Sequence, residues 1–415
     1  MEVYKFGGAS INTPERIRNV FQIIALAPKP IVVIVSAMGK TTNALEGVLE
    51  CIMSRDEEKA ISRLSAVYDF HDNIIEGLGL RPTTDSMIME ELEQLVIQYS
   101  NNNTLSYSQL YDIIVGYGEL LSSEIIAAFM RANHIKTKLL NMRNLLVTDN
   151  RFRSANVDMP KSERRLQLAI DQTADVYVTQ GFIAGTVNGE PTTLGREGSD
   201  YSAAIVAYAL NADRLTIWKD VEGVLNADPR EMETAELIPQ LSYNDAVELA
   251  YSGAQVIHPK TIRPLQNKKI PLYVKSFINP NEKGSVINSE ISNITIPIYI
   301  IKKKQMLLSL APRDFSFALE SALERAFTIL NKHKESITII QSSALQISVG
   351  IDEPREIEEL IEELKDEFIV RYNSGLELVT IRGYRDKDIE EYSKGSKVYI
   401  KQQTRRIVRI LKSTT

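Results

Sequence analysis

Two hydrophobic rhythms alternate along the chain. Short β-branched runs predict strands at Val3 to Phe6, Ile31 to Ser36, Val176 to Thr179, Arg214 to Trp218 and Leu272 to Lys275. The run from Ile31 is apolar at consecutive positions, the pattern of a strand buried on both faces. Helical periodicity fills much of Thr42 to Ala132. Thr13-Pro14 marks a helix start, with threonine as N-cap and proline at the first helical position. Strands separated by helical stretches predict an α/β fold with a mostly parallel sheet covered by helices.

The character changes in the polar stretch from Gly284 to Ile294, which reads as a linker. Beyond it, strands are predicted at Met306 to Leu310, Ile337 to Ile340, Leu345 to Ile351, Phe368 to Tyr372 and Glu377 to Arg382. Helices are predicted at Phe317 to His333 and Arg355 to Glu367. That β-α-β-β-α-β order is ferredoxin-like. Two basic strand-like runs follow, Lys397 to Gln402 and Arg405 to Leu411. The expected division is 1–290, 295–385 and 386–415.

Composition narrows the field only a little. The chain has 415 residues, 44% hydrophobic and 25% charged, the mix of a soluble globular protein of two or three domains. A net charge of −6 argues against a general nucleic-acid binder. The single cysteine, Cys51, rules out an internal disulfide framework and fits a reducing cytosol. The N-terminus lacks a basic-then-apolar leader, and the longest apolar run is too short for a bilayer. The expectation is a cytoplasmic protein without membrane or nucleic-acid partners.

Candidate chemistry lies where predicted strands end. Lys5-Phe6-Gly7-Gly8-Ala9-Ser10 places two glycines where backbone N–H groups can approach phosphate oxygens, with Lys5 as a positive charge for phosphoryl transfer. It is not a Walker A loop, and a tight turn is the plainer reading of Gly-Gly. Ser36 to Asn43, with Ser36, Lys40 and Thr42, is a second phosphate-loop candidate or an ordinary polar loop. In Thr193 to Asp200 an arginine, Arg196, is framed by Gly195 and Gly198 and suits a carboxylate clamp. Ser199 and Asp200 after it also read as helix caps. Trp218 to Leu225 with Asp228-Pro229-Arg230 could border a nucleotide, or be a turn-rich loop. Glu119, in Gly116-Tyr117-Gly118-Glu119, could hold an ammonium group or favour a helix N-terminus.

KFGGAS, VGYGELLS, TTLGREGSDYSAA, WKDVEGVLNADPR and SGAQVIHPKT, in that order over residues 1 to about 285, resemble the aspartokinase family. The resemblance implies an α/β/α sandwich, the amino-acid kinase fold, in which ATP and L-aspartate meet at the carboxyl ends of the strands. Lys5, Gly7 and Gly8 would hold the transferring phosphoryl group, with Ser10 beside them and Asp200 orienting Lys5. Glu119 would bind the substrate amino group and Arg196 its α-carboxylate, with Ser36, Thr42 and Ser199 nearby. Lys219, Asp220, Leu225, Arg230 and Gln255 would fall on the nucleotide side. Mg²⁺ would be held chiefly by ATP oxygens, with no protein ligand set for a metal. The C-terminal part resembles the family's paired ACT domains, one complete and the second cut down, and implies a homodimer or higher homo-oligomer through that region. The implied reaction is the first step toward lysine, threonine and methionine.

Some positions depart from the family pattern. Ala9, Lys219, Leu225 and Gln255 stand where threonine, threonine, tyrosine and lysine are usual. Two other readings stay open: a kinase of another small acidic substrate, and an amino-acid sensor on the same fold with impaired catalysis.

Overall fold

The computed structural model describes residues 1–171, 173–254, 257–290, 294–313, 319–343, 345–354 and 357–414. The chain forms two compact units. The first is Met1–Val224, Leu237–Val247 and the described residues of 256–293. The second is Leu225–Glu236 and the described residues of 248–255 and 294–415.

The first unit opens with β1 (Glu2–Phe6), α1 (Pro14–Leu26), β2 (Ile31–Val35) and five helices, α2 (Thr41–Met53), α3 (Glu57–Gly77), α4 (Ser86–Asn101), α5 (Tyr107–Val115) and α6 (Tyr117–Ala132). There follow β3 (Thr137–Leu139), α7 (Met142–Leu145), β4 (Val147–Thr148), α8 (Met159–Ala169), β5 (Val176–Gln180), β6 (Ile183–Thr186), β7 (Pro191–Thr193), α9 (Gly198–Ala209) and β8 (Arg214–Lys219). It closes with β9 (Gln240–Ser242), the first half of α10 (Tyr243–Ser252), α11 (Pro259–Lys268), β10 (Leu272–Ser276) and β11 (Ser285–Asn288).

Eight strands form one sheet in the order β3-β5-β2-β1-β8-β10-β11-β9, parallel except where β10 meets β11. The period-2 alternation of strands splits its residues between two covered faces. Tyr4, Phe6, Ile31, Val33 and Val35 pack with α1 and α6 in one apolar core. Lys5 points to the opposite face, where α9 lies against β1, β2 and β8. Helix α1 starts as the sequence predicts, with the Thr13 side chain accepting a hydrogen bond from Arg16 N. Helices α2 to α5 bury a core of their own around Leu45, Leu64, Leu92 and Leu110. The stretch Tyr107–Ala132 is long and apolar enough to span a bilayer, but 78% of its most apolar window is buried inside the fold.

The second unit contains β12 (Ile298–Pro312), α12 (Leu319–Lys332), β13 (Ile337–Ser342), β14 (Ile347–Asp352), α13 (Ile357–Glu367), β15 (Phe368–Arg382), α14 (Asp386–Ser393), β16 (Val398–Gln403) and β17 (Ile407–Ser413). One antiparallel sheet runs β13-β14-β12-β15-β17-β16. The predicted helix starts at Phe317 and Arg355 lie outside the described residues.

One expectation is corrected here. The predicted strands 368–372 and 377–382 are one strand, β15, and 306–310 is only part of β12. Asn373-Ser374-Gly375 reads as a turn, but Gly375 (φ +65°) and Lys304 (φ +55°) absorb a register irregularity in which the ladder continues. The tail joins the same sheet, with β17 pairing with the second half of β15 from Leu376 to Arg382. Val408 and Ile410 of the tail share a buried cluster with Val379 and Ile381 of β15 and Ile389 of α14.

A tail that shares this core carries weight in stability. Ile410→Ala should cost about 2–5 kcal/mol, as for other large-to-small core changes. Urea unfolding followed by circular dichroism measures it, and a loss near zero would mean the tail folds apart from β15.

Candidate active site

Residues predicted from separate motifs line one cavity of about 410 Å³ in the first unit. Lys5, Ser36, Thr42, Glu119, Arg196, Ser199 and Asp200 all face it. The sheet explains the convergence: β1, β2 and β8 are parallel neighbours, so their carboxyl ends lie side by side. Phe6 is in register with Trp218, which sets Gly7 beside Lys219 at that edge.

The loops after β1 and β2 are laced together. Gly39 N donates to Gly8 O at 3.0 Å and Ser36 N to Phe6 O at 3.2 Å. A Cβ on Gly8 would collide with the Ala37 carbonyl, so this approach requires glycine. A Cβ on Gly7 would meet Lys5 Nζ at 3.6 Å, an ordinary van der Waals contact. Ser10 N closes the turn on Gly7 O at 2.9 Å, and the Ser10 side chain is buried.

Lys5 Nζ lies 2.6 Å from Asp200 Oδ1, and both side chains are almost fully buried. Asp200 sits in the first turn of α9, where the helix macrodipole also favours an anion. The loop before α9 turns through left-handed conformations at Gly195 (φ +76°) and Glu197 (φ +53°). Glu197 is held there by His258 N, which donates to its carboxylate at 2.9 Å. Arg196 between them is exposed to the cavity.

Glu119 is buried in the first turn of α6. One carboxylate oxygen accepts from Ala37 N at 3.2 Å, and the other has no hydrogen-bond partner among the described residues. Burial pushes its pKa up to about 8, offset in part by the Ala37 N–H and by the charges of Arg143 and Lys5. An unpartnered buried carboxylate oxygen fits a ligand ammonium, which would satisfy it.

Three lining residues carried no signal in the motifs: Tyr111, Arg153 and Phe182. Behind them Asp112 is wholly buried and accepts from Arg153 N, Thr193 N and Thr193 Oγ1 at 2.6 to 3.1 Å. Burial raises its pKa to about 6. An aspartate among apolar positions of a helix was the one available hint, in Tyr111-Asp112-Ile113-Ile114.

Two of the nucleotide-side residues lie at this edge. Lys219 ends β8 and Asp220 follows it, exposed. Leu225 and Arg230 belong to the second unit, and Arg230 is ion-paired with Asp228 at 2.7 Å. Gln255 lies outside the described residues.

The amino acid kinase family model matches residues 1–276. Aspartokinase 1 of the Arabidopsis thaliana chloroplast is 30% identical over 402 residues, 92% of this chain and 70% of that protein. The chain belongs to the amino acid kinase family, among the aspartokinases. A bifunctional aspartokinase/homoserine dehydrogenase 2 of Zea mays is 34% identical over 70% of this chain, but this chain spans only 32% of that protein. The crystal structure of Escherichia coli aspartokinase III in complex with aspartate and ADP covers all of this chain at a TM-score of 0.85 and 25% identity. The parallel sheet with helices on both faces is that family's fold, and the antiparallel sheet of the second unit is consistent with its ACT domains.

The state of Glu119 gives a pH prediction. A pKa raised to about 8 by burial favours the neutral form at pH 7, and an ammonium beside it would favour the carboxylate. Aspartate binding should therefore release a proton at pH 7, and affinity should rise with pH until about 8 and then level off. Calorimetry in buffers of different ionisation enthalpy reads the proton count. Glu119→Gln should abolish the release, and a pH-independent affinity in the parent would detach Glu119 from the ammonium.

Proposed function

We propose that the cavity transfers the γ-phosphoryl group of Mg-ATP to the side-chain carboxylate of L-aspartate, giving 4-phospho-L-aspartate and ADP. The observation that carries this reading is the unpartnered oxygen of buried Glu119 in the same cavity as the Lys5–Asp200 pair and Arg196. Glu119 takes the substrate ammonium and Arg196 its α-carboxylate, leaving the side-chain carboxylate to meet the phosphoryl group near Lys5. One carboxylate oxygen attacks the γ-phosphorus as the bond to ADP breaks, so no general base is required. Lys5, held by Asp200, stabilises charge on the equatorial oxygens in the transition state. Ser36, Thr42 and Ser199 offer hydroxyl donors, and Gly7, Gly8 and Ser10 offer backbone N–H groups to phosphate. Mg²⁺ arrives with ATP, bound chiefly by its phosphates. Lys219 and Asp220 at the end of β8 support a nucleotide on that side, and Leu225, Arg230 and Gln255 are assigned to it by motif alone.

The same reading places the enzyme in a reducing, cytoplasm-like compartment and makes it a homo-oligomer through the second unit. The edges of that unit's sheet, β13 and β16, are the strands available for pairing with another copy. Truncation after residue 290 should then change the sedimentation coefficient to that of a monomer. An unchanged oligomeric state would move the contact elsewhere.

Lys5→Met should lower kcat by on the order of 10² to 10³, the usual cost of removing such an electrostatic contact. It also strands Asp200 as a buried charge, so Lys5→Met/Asp200→Asn should recover thermal stability without recovering turnover. A coupled assay of ADP release with aspartate, glutamate and UMP separates this reading from its rivals. Turnover only with another acceptor would name a different kinase, and none with any would favour a sensor.

A further inference from the structure

Arg153 sits in the loop between β4 and α8, lines the catalytic cavity, and is absent from every motif that marks the site. Its backbone is left-handed at φ +69°, a conformation that costs a non-glycine residue energy and persists only where its surroundings enforce it. The enforcing contact is Asp112, whose two carboxylate oxygens accept from Arg153 N at 2.9 and 3.1 Å. The guanidinium itself is stacked, 4.5 Å from the ring centre of Tyr111 and 5.4 Å from that of Tyr107. No carboxylate among the described residues reaches ion-pair distance of it, so beyond this stacking its fork of donors has no anionic partner among them.

The loop carrying Arg153 is also tied to the loop carrying Arg196. Asp112 binds Thr193 N and Oγ1 as well as Arg153 N, and Ala155 N donates to Thr193 O at 2.9 Å. One buried carboxylate thus fixes two loops that each present an arginine to the same cavity.

We propose that Arg153 is a specificity-determining residue that contacts the side-chain carboxylate of the amino-acid substrate. This rests on the reading above, in which Arg196 takes the α-carboxylate and Glu119 the ammonium. Two guanidinium groups and one carboxylate then match two carboxylates and one ammonium, the charge pattern of a short acidic amino acid. During transfer one oxygen of the side-chain carboxylate forms the new P–O bond. The other stays free to accept from Arg153, whose stacked plane limits where that oxygen can lie.

The test is Arg153→Gly, which removes the side chain at a position where glycine is the unstrained residue, so the variant should melt no lower than the parent. KM for aspartate should rise about tenfold, with kcat and KM for ATP held within about twofold, the signature of lost substrate binding. Arg153→Lys, which keeps charge but loses the fork, should fall between. Asparagine, which has no side-chain carboxylate, should compete equally well against parent and Arg153→Gly. An unchanged KM for aspartate, or equal weakening of asparagine and aspartate, would overturn the assignment. Should the parent fail to phosphorylate aspartate, the proposed function falls separately. Calorimetric titration with succinate then decides Arg153: binding lost in Arg153→Gly supports it, and binding equal in both proteins or absent from the parent overturns it.

Discussion

A buried ion pair between the end of β1 and the start of α9 fixes the geometry of the sheet edge that opens on the cavity. Lys5 and Asp200 are 195 residues apart in sequence and 2.6 Å apart in the fold. Neither charge tolerates burial without the other, so β1 and α9 must dock in one register. That docking delivers the glycine turn after β1 and the arginine loop before α9 to the same cavity. Parallel pairing with β2 and β8 then adds the remaining loops without further adjustment, since parallel neighbours end on the same side.

Around this pair the site holds its charges at unequal commitment. Lys5 and Asp200 satisfy each other. Glu119 is half satisfied by Ala37 N, and burial raises its pKa to about 8. Arg196 and Arg153 are placed by their loops and carry no carboxylate partner at ion-pair distance among the described residues. Under the proposed function, such a site offers preformed donors for carboxylates and one acceptor for an ammonium. Most of the ordering cost falls in folding and little of it in binding.

The buried carboxylate of Asp112 plays a matching part on the far wall. It faces no substrate, yet it joins the loops of Arg153 and Thr193 through backbone N–H groups. Its pKa of about 6 reflects burial opposed by those hydrogen bonds. Such a group resembles a core residue by exposure and a site residue by consequence.

Lys5, Gly8, Glu119, Arg196 and Asp200 were legible in the sequence because each sits in a short segment whose composition is odd for a loop or helix start. Glycines frame a charge, or an acid opens an apolar helix. The alternation of β-branched and helical runs likewise determined the parallel sheet. Tyr111, Arg153 and Phe182 were not legible, since a stacked arginine in an ordinary polar loop has no local signature. The continuity of β12 and β15 was hidden too, because Gly375 and Lys304 look like turn residues until a partner strand runs past them. Local propensity and periodicity are properties of a few consecutive residues, and the sequence states them directly. Which charge finds a partner, which oxygen is left without one, and which loop forms the opposite wall depend on residues far apart in the chain. Only packing decides those, because burial and hydrogen bonding are set by neighbours in space.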